Sequence, residues 1–116
     1  MVSKTILILS AGSLYATAHL GVLKYLDEHN IKVDHIIGVS GGSLIGALYA
    51  SGKPLQECIK AVKNIHMWDV FDPVIWPFKQ TGVMKGNKLK QWIRKQIGDK
   101  TLGQFPIELS ILITNV

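Results

Sequence analysis

Cysteine is almost missing from this 116-residue chain: Cys58 stands alone, which excludes an internal disulfide framework. Negative charge is also scarce, with eight Asp and Glu against thirteen Lys and Arg, a net charge of +5. No group of His, Cys and carboxylates has metal-ligand spacing, so neither a metal nor another cofactor is expected. The uncharged stretch from Ile36 to Gly52 covers 17 residues and carries Gly38, Gly41, Gly42 and Gly46. It is too short and too glycine-rich for a membrane span. Repeats, low-complexity tracts and linkers are missing as well. At 47% hydrophobic and 18% charged residues, the composition is that of one ordered globular domain.

The most informative feature present is Gly38-Val39-Ser40-Gly41-Gly42, a G-x-S-x-G sequence directly after the apolar pair Ile36-Ile37. A serine in that setting sits on a sharp strand-to-helix turn with its hydroxyl exposed. Small neighbours are needed because the turn is strained and must pass close to a substrate. Val33 to Val39 reads as a short buried strand. After it, Gly42, Gly46 and Ala50 recur every four residues and give a helix one bare face for close packing. The bland alternative is a tight turn before a buried helix.

A second unit lies upstream. Lys4 to Leu9 is a strand-like apolar run, Ser10-Ala11-Gly12-Ser13 a small-residue loop, and Thr17 to His29 a helix with Leu20, Leu23 and Leu26 on its buried side. Unpaired backbone N–H groups in such a loop suit an anion, as the oxyanion of an acyl-transfer intermediate requires. Strands alternating with helices define an α/β fold.

Together these residues resemble the patatin-like phospholipases, whose domains open with Leu-Ser-Gly-Gly-Gly-x-Arg-Gly, then His-x-Gly-Val-Leu, and later Gly-x-Ser-x-Gly. Leu9-Ser10, His19-Leu20-Gly21-Val22-Leu23 and Gly38 to Gly42 match. Lys100 to Pro106 and the strand Ile107 to Thr114 are similar to the family's next strand and its approach. The resemblance implies a three-layer fold around a parallel sheet, of which residues 1–116 form a single, incomplete domain reaching its third recognisable strand. It implies a lipid acyl hydrolase acting on a phospholipid or lysophospholipid. Ser40 would be the nucleophile, Gly12, Ser13 and Gly41 the backbone donors for the oxyanion, and Gly38 and Gly42 the supporting motif.

Two departures weigh against activity. The family's Gly-Gly-Gly-x-Arg-Gly stands here as Ala11-Gly12-Ser13-Leu14-Tyr15-Ala16, which is expected to reshape the donor loop. The family's dyad aspartate lies in an Asp-Gly segment, and no Asp-Gly occurs in this sequence. A hydroxyl without a base is a poor nucleophile. An inactive lipid-binding or interaction module, and the N-terminal part of a longer enzyme, are therefore the competing readings. An in-frame Asp-Gly beyond Val116 would favour the last. The only histidine after Ser40 is His66, near the end of a helix from Pro54 with the stripe Leu55, Cys58, Ile59, Val62 and Ile65. It reads as a cap or surface residue, and His19 as structural.

Lys4, the apolar stretch and Ala16-Thr17-Ala18 imitate a signal peptide. Cleavage there would delete the first strand and the donor loop, so a cytoplasmic protein is favoured over a secreted one. Gly46 to Lys53 imitates a phosphate loop but has the wrong glycine spacing, and Pro54 where Ser or Thr belongs.

Lys85, Lys88, Lys90, Arg94, Lys95 and Lys100 concentrate positive charge opposed only by Asp99. Asn87 reads as the cap of a helix with the stripe Leu89, Trp92, Ile93 and Ile97. Before it, Met67 to Phe78 gathers Trp68, Phe71, Trp76 and Phe78. Two readings fit: a lid or peripheral contact with a membrane surface, or an amphipathic helix beside a loop whose aromatics fill the core. The second is preferred. No nucleic-acid recognition motif accompanies the charge. The apolar last strand, lacking gatekeeping charge, predicts self-association.

Overall fold

The computed structural model describes residues 3–73 and 85–114. In chain order these are β1 (Ile6–Leu9), a 3-10 turn (Ser13–Thr17), α1 (Ala18–Glu28), β2 (His35–Val39), α2 (Gly41–Ala50), α3 (Leu55–Lys63), single-turn α4 (Met67–Val70), α5 (Asn87–Ile97), a second 3-10 turn (Leu102–Gln104) and β3 (Glu108–Leu112). The fold is α/β. All three strands are parallel, in the order β1-β2-β3.

That order fixes where the core lies. Parallel strands are joined by right-handed crossovers, and two such crossovers in one direction put their helices on the same face of the sheet. The register pairs Leu7 with Ile36 and Ile36 with Leu109, so these side chains share a face, joined by Leu9. Leu9, Ile36 and Leu109 are buried beneath the helices with Leu20, Leu23, Ile45 and Leu48. Gly46 brings α2 down onto β2: a Cβ there would stand 3.0 Å from Ile36 Cγ2. Gly42, Gly46 and Ala50 are all buried, as their four-residue spacing predicts.

The opposite face carries Ile6, Ile8, Ile37, Val39 and Leu112. No helix covers it among the described residues, and Ile6, Ile8 and Leu112 are 54%, 68% and 63% exposed. The described part of the fold thus supplies the sheet and one helical layer of the three that the resemblance implies. His35 and Ser110 form the one polar pair on this bare face, 2.9 Å apart, among the described residues.

Local bonds explain the element ends. The Asp34 carboxylate accepts from the Thr5 N–H at 2.9 Å, while the Asp34 and His35 N–H groups both reach the Thr5 carbonyl. This clamp starts β1 and β2 together and holds the Asp34 carboxyl below its ordinary range. Helix α1 closes with Ile31 N–H donating to Leu26 O and Asn30 N–H to Asp27 O, Asn30 taking φ 53°, which is a Schellman ending. The Tyr49 hydroxyl ties α2 to α1 through Asp27 at 2.9 Å. Burial and that bond push its pKa up to about 12.

The cap of α5 differs from expectation. Gly86, with φ 79°, precedes the helix, and Asn87 is its first residue. The capping carboxylate comes from Asp72, which accepts from the N–H groups of Gly86 (2.8 Å), Asn87 (2.9 Å) and Lys88 (3.3 Å). An ionised carboxylate satisfies several orphan amides at once and also meets the positive end of the helix dipole. The later part of the aromatic segment Met67 to Phe78 lies outside the described residues.

Partial burial works to raise the Asp72 pKa, but the N–H groups of Gly86, Lys88 and Asn87 outweigh it and hold it below the ordinary 3.8. The stabilisation is therefore complete above that value and lost as pH falls through the folded-state pKa. Asp72→Asn should reduce helix content at neutral pH and remove this acid-dependent loss, read by far-ultraviolet circular dichroism. A second expectation comes from the bare sheet face. Sedimentation velocity at tens of micromolar should show dimers or larger species, shifted toward monomer by Ile8→Lys with Leu112→Lys. A clean monomer with a cooperative melt would contradict it.

Candidate active site

Ser40 lies between the last residue of β2 and the first of α2, with φ 50° and ψ −122°. A non-glycine residue in such a region costs about 1–3 kcal/mol and persists only where the surroundings enforce it. Here they do. A Cβ at Gly38 would stand 2.5 Å from Ser43 Cα, and one at Gly42 would run into the Leu9 carbonyl. The turn is closed by Ser43 N–H donating to Ser40 O at 2.9 Å and by the Ser43 hydroxyl donating to the same carbonyl. Ser40 is exposed.

The small-residue loop after β1 reaches the same place. A Cβ at Gly41 would lie 2.7 Å from Ala16 Cβ, 3.1 Å from Ser13 O and 3.6 Å from Ser13 N, so the two loops touch at Gly41 and Ser13. Ser13 takes φ 48°, the left-handed region that glycine fills more cheaply. The substitution in the family pattern is therefore absorbed as strain at Ser13. The loop continues as a 3-10 turn closed by Tyr15 N–H on Gly12 O at 2.8 Å. Among the described residues no acceptor takes the N–H groups of Gly12, Ser13 or Gly41. His19 Nε2 donates to Ser10 O at 2.8 Å and pins the loop from α1, in agreement with a structural role.

Ser40, Ser13 and Gly41 open into a cavity of about 310 Å³, walled by Leu14, Ala16, Leu44, Ile45 and Leu48 on one side and by Val62, Ile65, Met67, Val70 and Trp92 on the other. A larger groove of about 780 Å³ lies between α3, α4 and α5, is polar, and does not include Ser40. The smaller, apolar one is the space a hydrocarbon chain attached to a carbonyl at Ser40 would enter.

His66, read as a cap near the end of the helix from Pro54, instead caps the start of α4, since α3 ends at Lys63; its N–H donates to the Asp69 carboxylate at 3.0 Å. It also lines the Ser40 cavity, because the chain turns back between α3 and α4. Among the described residues neither His66 nor any carboxylate hydrogen-bonds to the Ser40 hydroxyl. Cys58 sits in the core, where burial raises its pKa to about 11. A thiol held protonated is a core residue and not a nucleophile.

A parallel strand, a positive-φ serine and a helix packed on the sheet by glycines define an α/β domain with a tight strand-to-helix turn at Ser40. The chain belongs to the patatin-like phospholipase family, whose sequence model matches residues 7–116. It is 32% identical over 115 residues to lysophospholipase NTE1 of Eremothecium gossypii and 31% identical to that of Saccharomyces cerevisiae. Lysophospholipase nte1 of Aspergillus fumigatus is 32% identical. Each match covers 95% of this chain and 7% of the relative. The chain therefore spans a small fraction of the length of the curated relatives it matches.

The glycine contacts yield a paired stability prediction. Gly42→Ala should destabilise by about 1–3 kcal/mol, because the added methyl meets backbone that cannot move aside. Gly21, in α1, has nothing within 4 Å of its missing Cβ, and Gly21→Ala should stabilise by about 0.5–1 kcal/mol. Chemical denaturation of both variants checks the contrast.

Proposed function

We propose that Ser40 is the nucleophile of a lipid acyl hydrolase site whose substrate is a lysophospholipid, carried within a single patatin-like domain. The observation that supports this most is the meeting of three features at one point: a strained, exposed serine, amides at Ser13 and Gly41 that no acceptor takes among the described residues, and an apolar cavity. In this reading the Ser40 oxygen attacks the ester carbonyl and the amides hold the oxyanion. The glycerol oxygen then leaves with a proton, and water releases the fatty acid from the acyl-serine. The reaction class follows the family and the printed name of the fungal relatives.

The proton on Ser40 needs a base, and among the described residues none is hydrogen-bonded to the Ser40 hydroxyl. That favours a second reading for the isolated chain, a module that binds lipid without turnover. Leu14, Tyr15, Met67 and Trp68 are exposed, and Leu14 and Met67 also line the cavity. This rim would meet a lipid surface at the cytoplasmic side of a membrane. No helix among the described residues is long and apolar enough to cross one.

The purified chain is expected to hydrolyse a short-chain p-nitrophenyl ester no faster than its Ser40→Ala variant, while still binding a monoacylglycerol in calorimetry. Robust hydrolysis abolished by Ser40→Ala would show that a base is present after all, and His66→Ala would then test the imidazole that lines the cavity. Absence of lipid binding would sink the cavity reading itself.

A further inference from the structure

The groove between α3, α4 and α5 is lined by Lys53, Lys60, Lys88 and Lys95 against two carboxylates, Glu57 and Asp69. Both carboxylates are already engaged. Glu57 lies 3.8 Å from Lys53, and Asp69 accepts from the His66 N–H. Lys88 is fixed over the groove by donating to the Trp68 carbonyl at 2.8 Å. Among the described residues Lys60 and Lys95 have no carboxylate within ion-pair distance. The groove is thus a concave surface with cationic groups not neutralised by the protein, which suits a compact anion.

Its position gives that anion an identity. Trp92 lines both this groove and the Ser40 cavity, so one indole is the wall between them. α3 and α4 also contribute to both linings, Ala61, Trp68 and Asp69 to the groove and Val62, Met67 and Val70 to the cavity. Resting on the reading of the Ser40 cavity as an acyl site, we propose that Lys60 and Lys95 bind the phosphate of a lysophospholipid whose acyl chain occupies that cavity. The polar end of the lipid passes Trp92 and meets the lysines, and glycerides lacking the phosphate are discriminated against.

Calorimetric titration of the full chain with 1-oleoyl lysophosphatidic acid and with 1-oleoylglycerol, both below micelle formation, tests this. The phosphate-bearing lipid should bind about tenfold tighter, and added salt should weaken it alone. Both lysines are exposed, so Lys60→Gln with Lys95→Gln should leave the circular dichroism spectrum unchanged. In that variant the advantage should fall to within about twofold, with the glyceride affinity unaltered. Equal affinities in the unaltered chain, or an advantage that survives the substitutions, would overturn the proposal. Inorganic phosphate binding as tightly as the lipid would also overturn it, marking a free-phosphate site. Failure of both lipids to bind would instead overturn the acyl-cavity reading on which it rests.

Discussion

The backbone of Gly42 lies against the Leu9 carbonyl with no room for one carbon atom between them. Through this contact the first turn of α2 presses on the end of β1, and everything around the candidate site is set by it. It holds the turn at Ser40 over the C-terminal edge of the sheet. It brings Gly41 against Ser13, so the loop that follows β1 and the turn that follows β2 meet at the edge of one cavity. Ligand sites of open parallel sheets lie at this edge because the strand-to-helix loops collect there. Here the collecting device is steric: two backbones that only glycine allows to approach so closely.

Steric demands leave a trace in local sequence, which is why this part of the molecule was legible. Gly38, Gly41, Gly42, Gly46 and Ala50 announced the turn and the packing face, and Leu20, Leu23 and Ile36 announced the core. What lay outside local pattern was not legible. Asp72 caps α5 from 14 residues before Gly86, and nothing in the spacing distinguishes it from a surface aspartate. Asn87 carries the residue type of a cap but stands one position too late. His66 reads as a cap and is one, but at the start of α4 and not at the end of the helix from Pro54, and its place in the lining of the Ser40 cavity depends on the segment between α3 and α4, which no periodicity encodes. The polar groove is illegible for the same reason: Lys60 is in α3 and Lys88 and Lys95 are in α5, so no single helix pattern shows that they share it.

Strain is distributed unevenly across the candidate site. Ser13 and Ser40 both hold positive φ without being glycine, and they are on the two loops that touch. Ser40 gains exposure of its hydroxyl in exchange. Ser13 gains nothing comparable that the described contacts reveal, and a glycine there would relieve the backbone. The side chain at this position is thus tolerated by a loop held from elsewhere, by His19 on the Ser10 carbonyl and by the 3-10 turn that Tyr15 closes on Gly12. A pinned donor loop is what preorganised oxyanion binding requires, since donors that must reorganise lose much of their worth.

The two halves of the chain contribute different things to the pocket. Residues up to the end of α2 supply the sheet edge, the turn and the donor loop, all under tight backbone contact. The wall that faces them comes from α3, α4 and α5, within the long crossover that joins β2 to β3. That wall is held by side chains: Asp72 on the amides of α5, Lys88 on the Trp68 carbonyl, and Asp69 on the His66 N–H. Such contacts tolerate substitution far better than a glycine wedged against a carbonyl, since a lost surface bond costs less than a buried backbone collision. The geometry of the turn at Ser40 is therefore constrained by sterics, whereas the shape and charge of the space beside it are free to vary. Under the proposed function, substrate choice would reside in the crossover helices, with Trp92 lining both the apolar cavity and the lysine-lined groove.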